Sequence, residues 1–88
     1  MPTANVEITQ SWTKLANSSD VTVLVTSRSI YTIEVATTAA DSAPSVSGHL
    51  LHDGDGITRD LIGAGFLWAR VHDGRHVAGS PVIMAVSK

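Results

Sequence analysis

The run Val21-Thr22-Val23-Leu24-Val25-Thr26 constrains the fold most, because β-branched residues dominate it and Val21, Val23 and Val25 share one parity. Such a run suits a pleated strand and crowds a helix. The period of two returns in Ile30-Tyr31-Thr32-Ile33-Glu34-Val35-Ala36, with Tyr31, Ile33 and Val35 on one face and Thr32 and Glu34 on the other. Val46 to His52, Phe66 to Val71 and Val82 to Val86 are extended in character too, and Ile57 to Ile62 reads as a short strand. Turn chemistry separates these runs. Asp53-Gly54-Asp55-Gly56 predicts a tight turn, Asp73-Gly74 a hairpin leading to His76 to Gly79, and Pro81 resets the chain before its last strand. Glu7 to Ala16 is the one stretch arguable as a helix, but its Thr-rich, β-branched composition favours a strand around Val6 to Ile8 and a loop through Trp12. Short strands punctuated every 8–12 residues or so predict an all-β fold, a small antiparallel β-sandwich or jelly-roll-like barrel, formed by residues 1–88 as a single domain.

A chain of 88 residues buries only roughly 60–65% of the surface that its unfolded form exposes, so the core is thin. With Cys 0 no disulfide reinforces it, and no Cys/His pairs stand at zinc spacing. Association is the remaining common route to extra burial. Charged residues are only 16% of the chain, which leaves neutral surface for a partner. Six Lys+Arg against eight Asp+Glu, a net charge of -2, carry no footprint for nucleic acid. No apolar run approaches the roughly 20 residues that span a bilayer, and Met1 to Asn5 lacks a leader pattern, so the expectation is a protein that is intracellular when made.

Candidate chemistry is sparse. Asp53-Gly54-Asp55-Gly56 faintly resembles a calcium loop, but Ile57 and Ala64 stand where the third ligand and the bidentate Glu are required. Ser11-Trp12-Thr13-Lys14 matches S-x-x-K without the helix start or the partner motifs of acyl enzymes. Gly63-Ala64-Gly65 precedes no helix and serves to turn the backbone, and Asn17-Ser18-Ser19 fits a glycosylation acceptor only in a secreted chain. His49 and His52, three apart, face opposite sides of a strand. His72 and His76 flank a turn and could meet, but two ligands do not close a metal site. The expectation is no catalytic, cofactor or metal residue, no cofactor, and no enzyme activity.

The aromatic residues pose a sharper question. Phe66, Trp68 and Arg70 share a face, and a small sandwich can bury one Trp and use another at an interface or a sugar platform. Tyr31, Phe66 and Trp68 are assigned here to inward faces. Trp68 is then a core residue whose change to Ala costs about 3–5 kcal/mol, and the face it shares with Arg70 either reaches solvent at its end or pairs Arg70 with an acidic group such as Glu34 or Asp60.

The order Val21 to Val25, Ile30 to Val35, Ser47-Gly48-His49-Leu50-Leu51 and Gly65-Phe66-Leu67-Trp68-Ala69-Arg70 resembles small bacteriophage virion β-sandwich proteins of the capsid-decoration, cementing or tail-accessory type. The G-x-x-W-A-R phrase carries much of the likeness, which spans most of the chain. No family site transfers residue by residue. The resemblance implies a structural role, decorating or stabilising a capsid or forming part of a tail, in a virion assembled in the bacterial host cytoplasm. It also implies self-association, as a homotrimer, and a capsid or tail protein as partner. Low charge adds that the oligomer buries neutral surface and resists salt. The alternative is a carbohydrate-binding β-sandwich module, ranked second because inward Tyr31, Phe66 and Trp68 leave little for a platform.

Overall fold

The computed structural model describes residues 3–20, 22–27, 31–45, 48–58, 65–72 and 82–88. They form eight strands: β1 (Thr3–Glu7), β2 (Thr13–Ala16), β3 (Leu24–Ser27), β4 (Ile33–Thr38), β5 (His49–Leu51), β6 (Gly56–Thr58), β7 (Phe66–Val71) and β8 (Ile83–Ser87). Two antiparallel four-stranded sheets pack face to face, the first in the order β1-β8-β3-β6 and the second β2-β7-β4-β5. The fold is all-β and sandwich-like, as the period of two requires.

The sheets meet over an aliphatic core. Alternate residues of each strand point inward. Val25 and Met84 of the first sheet, with the flanking Val23 and Val82, meet Leu15, Ile33, Val35, Leu67 and Ala69 of the second, and all are at most 3% exposed. Tyr31 is half-buried and packs against this cluster. Of the valine face expected from residues 21–26, Val23 and Val25 point inward, with Leu24, on the other parity, 42% exposed. Ser27, also inward, closes β3, and its hydroxyl is buried with no partner among the described residues.

The predicted turn at 53–56 is present, and its job is to carry the chain from one sheet to the other. Gly54 has φ 88, a conformation costly for a residue with a Cβ. Asp55 donates its N–H to the His52 carbonyl, Gly54 N–H reaches the Ser27 carbonyl, and Ser27 N–H reaches the Asp55 carbonyl. The turn is thereby pinned to the end of β3.

One strand was not expected, and one expectation needs correction. Beyond the expected loop through Trp12, residues 13–16 form strand β2, to which the sequence reading assigned no element; its pairing with β7 breaks register between Lys14 and Ala16, which blurs the alternation that marks a strand. The N-terminal strand occupies 3–7, and Ile8 extends it with a hydrogen bond to the Val82 carbonyl. The correction concerns β7. Its boundaries are those expected, but Leu67, Ala69 and Val71 point inward at 0%, 0% and 5% exposure, while Phe66, Trp68 and Arg70 point outward. Pairing decides this, because Arg70 lies opposite Glu34 and Trp68 opposite Ala36, and the core between the sheets has no counter-charge for a guanidinium among the described residues. Trp68 is therefore half-buried on the outside and is not a core residue. Val21, Ile30, Val46, Ser47, residues 59–64, the Asp73-Gly74 hairpin and the segment His76 to Gly79 lie outside the described residues.

Candidate functional site: an aromatic and ionic outer face

The outer face of the second sheet gathers the side chains that the core excludes. β7 contributes Phe66, Trp68 and Arg70, β4 contributes Glu34, Ala36 and Thr38, β2 contributes Lys14, and β5 contributes Leu50. Trp12, just before β2, joins them through Arg70, whose Cζ lies 4.4 Å from its ring centroid.

Neighbouring strands fix each side chain. Trp68 lies between Lys14 on β2 and Ala36 on β4, and its indole N–H donates to Thr38 Oγ1 at 2.9 Å. That bond satisfies the polar edge of the ring and sets its orientation. Lys14 Nζ bonds both carboxylate oxygens of Asp41 at 2.9 and 3.0 Å and sits 5.5 Å from the Phe66 centroid. A cation thus caps two of the three rings.

Glu34 is the centre of the face. Although it points away from the core it is only 2% exposed. Arg70 Nε donates to Glu34 Oε1 at 2.6 Å, Gly48 N–H donates to Oε2 at 2.8 Å, and His72 Nδ1 lies 3.9 Å from Oε1. The Gly48 hydrogen bond is the strongest influence holding the Glu34 carboxyl below its ordinary value; burial pushes the other way, and Arg70 and His72 reinforce the lowering. Position 48 must be glycine, since a Cβ there would fall 2.0 Å from the Val35 carbonyl oxygen. The glycine just before β5 therefore has a geometric reason: it brings a backbone N–H onto a buried carboxylate.

Among the described residues the Lys and Arg cations of this face are matched, Lys14 with Asp41 and Arg70 with Glu34, so this part of the face is locally neutral and aromatic. Its three rings are held in place before any partner arrives. A carboxylate kept ionised by two donors is a poor general acid or base near neutral pH.

The other residues singled out in the sequence lie apart. His49 is exposed at the start of β5, and His52 is exposed beside Asp55, with Nδ1 and Oδ2 3.5 Å apart. Asp55 Oδ2 also accepts the His52 N–H, so that carboxylate serves the turn. His72 sits by Glu34, and His76 lies outside the described residues, as does Asp60, the other partner considered for Arg70. Among the described residues no three His, Cys, Asp or Glu side chains are grouped to hold a metal ion. The Ser11 N–H bonds Thr9 Oγ1 in a turn, and Lys14 is engaged by Asp41 instead. Gly65, with φ 122, opens β7. Asn17 N–H is capped by Asp20 Oδ2 at 2.7 Å.

Sequence reasoning offered Glu34, alongside Asp60, as an acidic group for Arg70 but missed Lys14, Asp41 and Leu50 as members of one face. The signal for the outward rings was present in Arg70: any face that carries it with Phe66 and Trp68 must reach solvent or a counter-ion. Comparison with protein-family models, curated proteins and solved structures finds no match for this chain.

Proposed function

We propose that this chain is a non-enzymatic assembly protein, a virion component that decorates or stabilises a capsid or forms part of a tail, and that the outer face of the second sheet is its docking surface. The observation that carries the reading is the cluster of Trp12, Phe66, Trp68 and Arg70 on one sheet face. Trp and Arg dominate the energetics of protein interfaces, because each buries much surface while losing little conformational freedom when already held. Here Thr38 and Glu34 do the holding. Since Lys14 and Arg70 are already matched by carboxylates, the complementary partner is a neutral, partly apolar protein surface, as on a neighbouring capsid or tail subunit. Self-association belongs to this reading, with three copies the number the resemblance implies.

One observation favours a second reading. The outward Phe66 and Trp68, with Trp12, restore the platform that a carbohydrate-binding module needs. The cations on Trp12 and Phe66 count against it, because stacked sugars require bare ring faces and only Trp68 lacks a cation among the described contacts.

The test is attachment to particles. An antibody against the chain should label virions released by the strain that carries it, and added Trp12→Ala/Trp68→Ala protein, folded by circular dichroism, should fail to attach to particles lacking the chain. Unlabelled virions would refute the assembly role. A glycan-array signal abolished by Trp68→Ala would put the carbohydrate reading in its place.

A further inference from the structure

The four edge strands among the described residues are not equally protected. β5 and β6 span three residues each, too short to template another strand. β2 carries Lys14 and a register shift, two devices that blunt an edge. β1 has neither. Thr3–Glu7 pairs with β8 in unbroken register, contains no Lys, Arg or Pro, leaves Thr3, Ala4, Asn5 and Glu7 exposed, and meets no described strand on its other side.

Backbone parity shows what this edge offers. Ile8 N–H donates to the Val82 carbonyl at 2.8 Å. In an antiparallel pair alternate residues turn both N–H and C=O toward the same neighbour. Ala4 and Val6 therefore share the inward direction of Ile8, toward β8, while Thr3, Asn5 and Glu7 present their backbone groups to the open side.

We propose that a second copy of this chain pairs with that edge, β1 to β1, antiparallel about a two-fold axis at Asn5, so that the first sheets of the two copies run on as one. Facing residues must be of like parity, which an axis at any of the five β1 residues satisfies, so charge and overlap choose among them. An axis at Glu7 sets two carboxylates directly opposite one another, which destabilises a sheet. An axis at Thr3 or Ala4 leaves Glu7, and an axis at Val6 leaves Thr3, without a facing residue of the opposite β1. At Asn5 all five residues are used: Asn5 faces Asn5 of the second copy, each Thr3 faces a Glu7, and each Ala4 faces a Val6. The three hydrogen-bonded pairs supply about six N–H···O=C bonds. Ala4 and Val6 lie on the core side of β1, opposite Val86 and Met84, so their facing pairs carry the apolar layer across the junction. The only charge on the edge meets a hydroxyl. Such an isologous contact closes at two copies, which departs from the three that the resemblance implies.

Light scattering on the full chain at micromolar concentration should give twice the 9.2 kDa chain mass, with little change in salt. Asn5→Pro removes an N–H that the protein's own sheet does not use, and Asn5→Lys sets two cations opposite each other; each should halve the mass and leave the β-type circular dichroism intact. If Asn5→Pro misfolds, Asn5→Lys decides alone. In the proposed pair the two Asn5 Cα atoms lie about 5.5 Å apart, within disulfide range, so Asn5→Cys in this cysteine-free chain should oxidise to a covalent dimer while Thr3→Cys should not. A monomeric or trimeric wild-type mass overturns the proposal, as does a dimer that survives Asn5→Lys. A dimer whose Asn5→Cys form fails to cross-link overturns the register. None of these outcomes depends on the aromatic face, whose test is attachment to particles.

Discussion

The two sheets share one aliphatic interior and turn very different outer faces to their surroundings. On the first, Thr3, Asn5, Thr26, Thr58, Ile83 and Ala85 make a small, hydroxylic and aliphatic surface, with Thr3 and Ser87 joined hydroxyl to hydroxyl at 2.6 Å. On the second, three aromatic rings and two ion pairs are locked together by cross-strand contacts. The inner faces do the same work of burial and can be alike. The outer faces answer to partners, so the difference between them is where function is expected to reside: backbone edge on the first sheet, side-chain face on the second.

The sharpest break in this comparison lies within β7, between neighbours that point in opposite directions. Leu67→Ala removes a fully buried side chain and should cost about 2–5 kcal/mol by urea unfolding. Trp68→Ala, one residue on, should cost only about 1–2 kcal/mol, from partial burial and the lost bond to Thr38. Equal losses at the two positions would contradict the outward placement of Trp68.

Glu34 tests whether the ionic face is structural. Glu34→Ala strands the Gly48 N–H and leaves Arg70 without its carboxylate, and should cost about 2–3 kcal/mol, less than a fully buried pair because Arg70 is partly solvated. The pH dependence follows from the lowered pKa. The unfolded carboxyl, near 4.5, takes up a proton before the folded one does, so this stabilisation is complete above pH 4.5 and is lost as the pH falls below it. Glu34→Gln should flatten that acid limb in melts run between pH 7 and pH 3. A variant as acid-sensitive as the wild type would show that other carboxylates set the limb.

The smallest effect is expected on the outer face of the first sheet. Leu24→Thr, at a position 42% exposed and of good strand propensity, should shift stability by no more than about 0.5 kcal/mol. A larger loss in the isolated chain would mean that this face is covered.

The amino-acid pattern alone determined the strand class, the phase of β3 and β4, the turn at Gly54 and the span of β7, because each rests on local physics: side-chain branching, a period of two and a glycine with positive φ. Tertiary structure alone decided which side of β7 faces inward. Both of its faces are apolar apart from Arg70, so alternation along the strand carries almost no contrast, and register opposite Glu34 and Ala36 settles the matter. The same holds for β2, whose register break hides its period, and for Lys14 and Asp41, which meet only when the sheet sets them side by side. Burial of Glu34 was equally out of reach, since an outward residue on a half-polar strand reads as solvated until Gly48 and Arg70 are brought over it by segments distant along the chain.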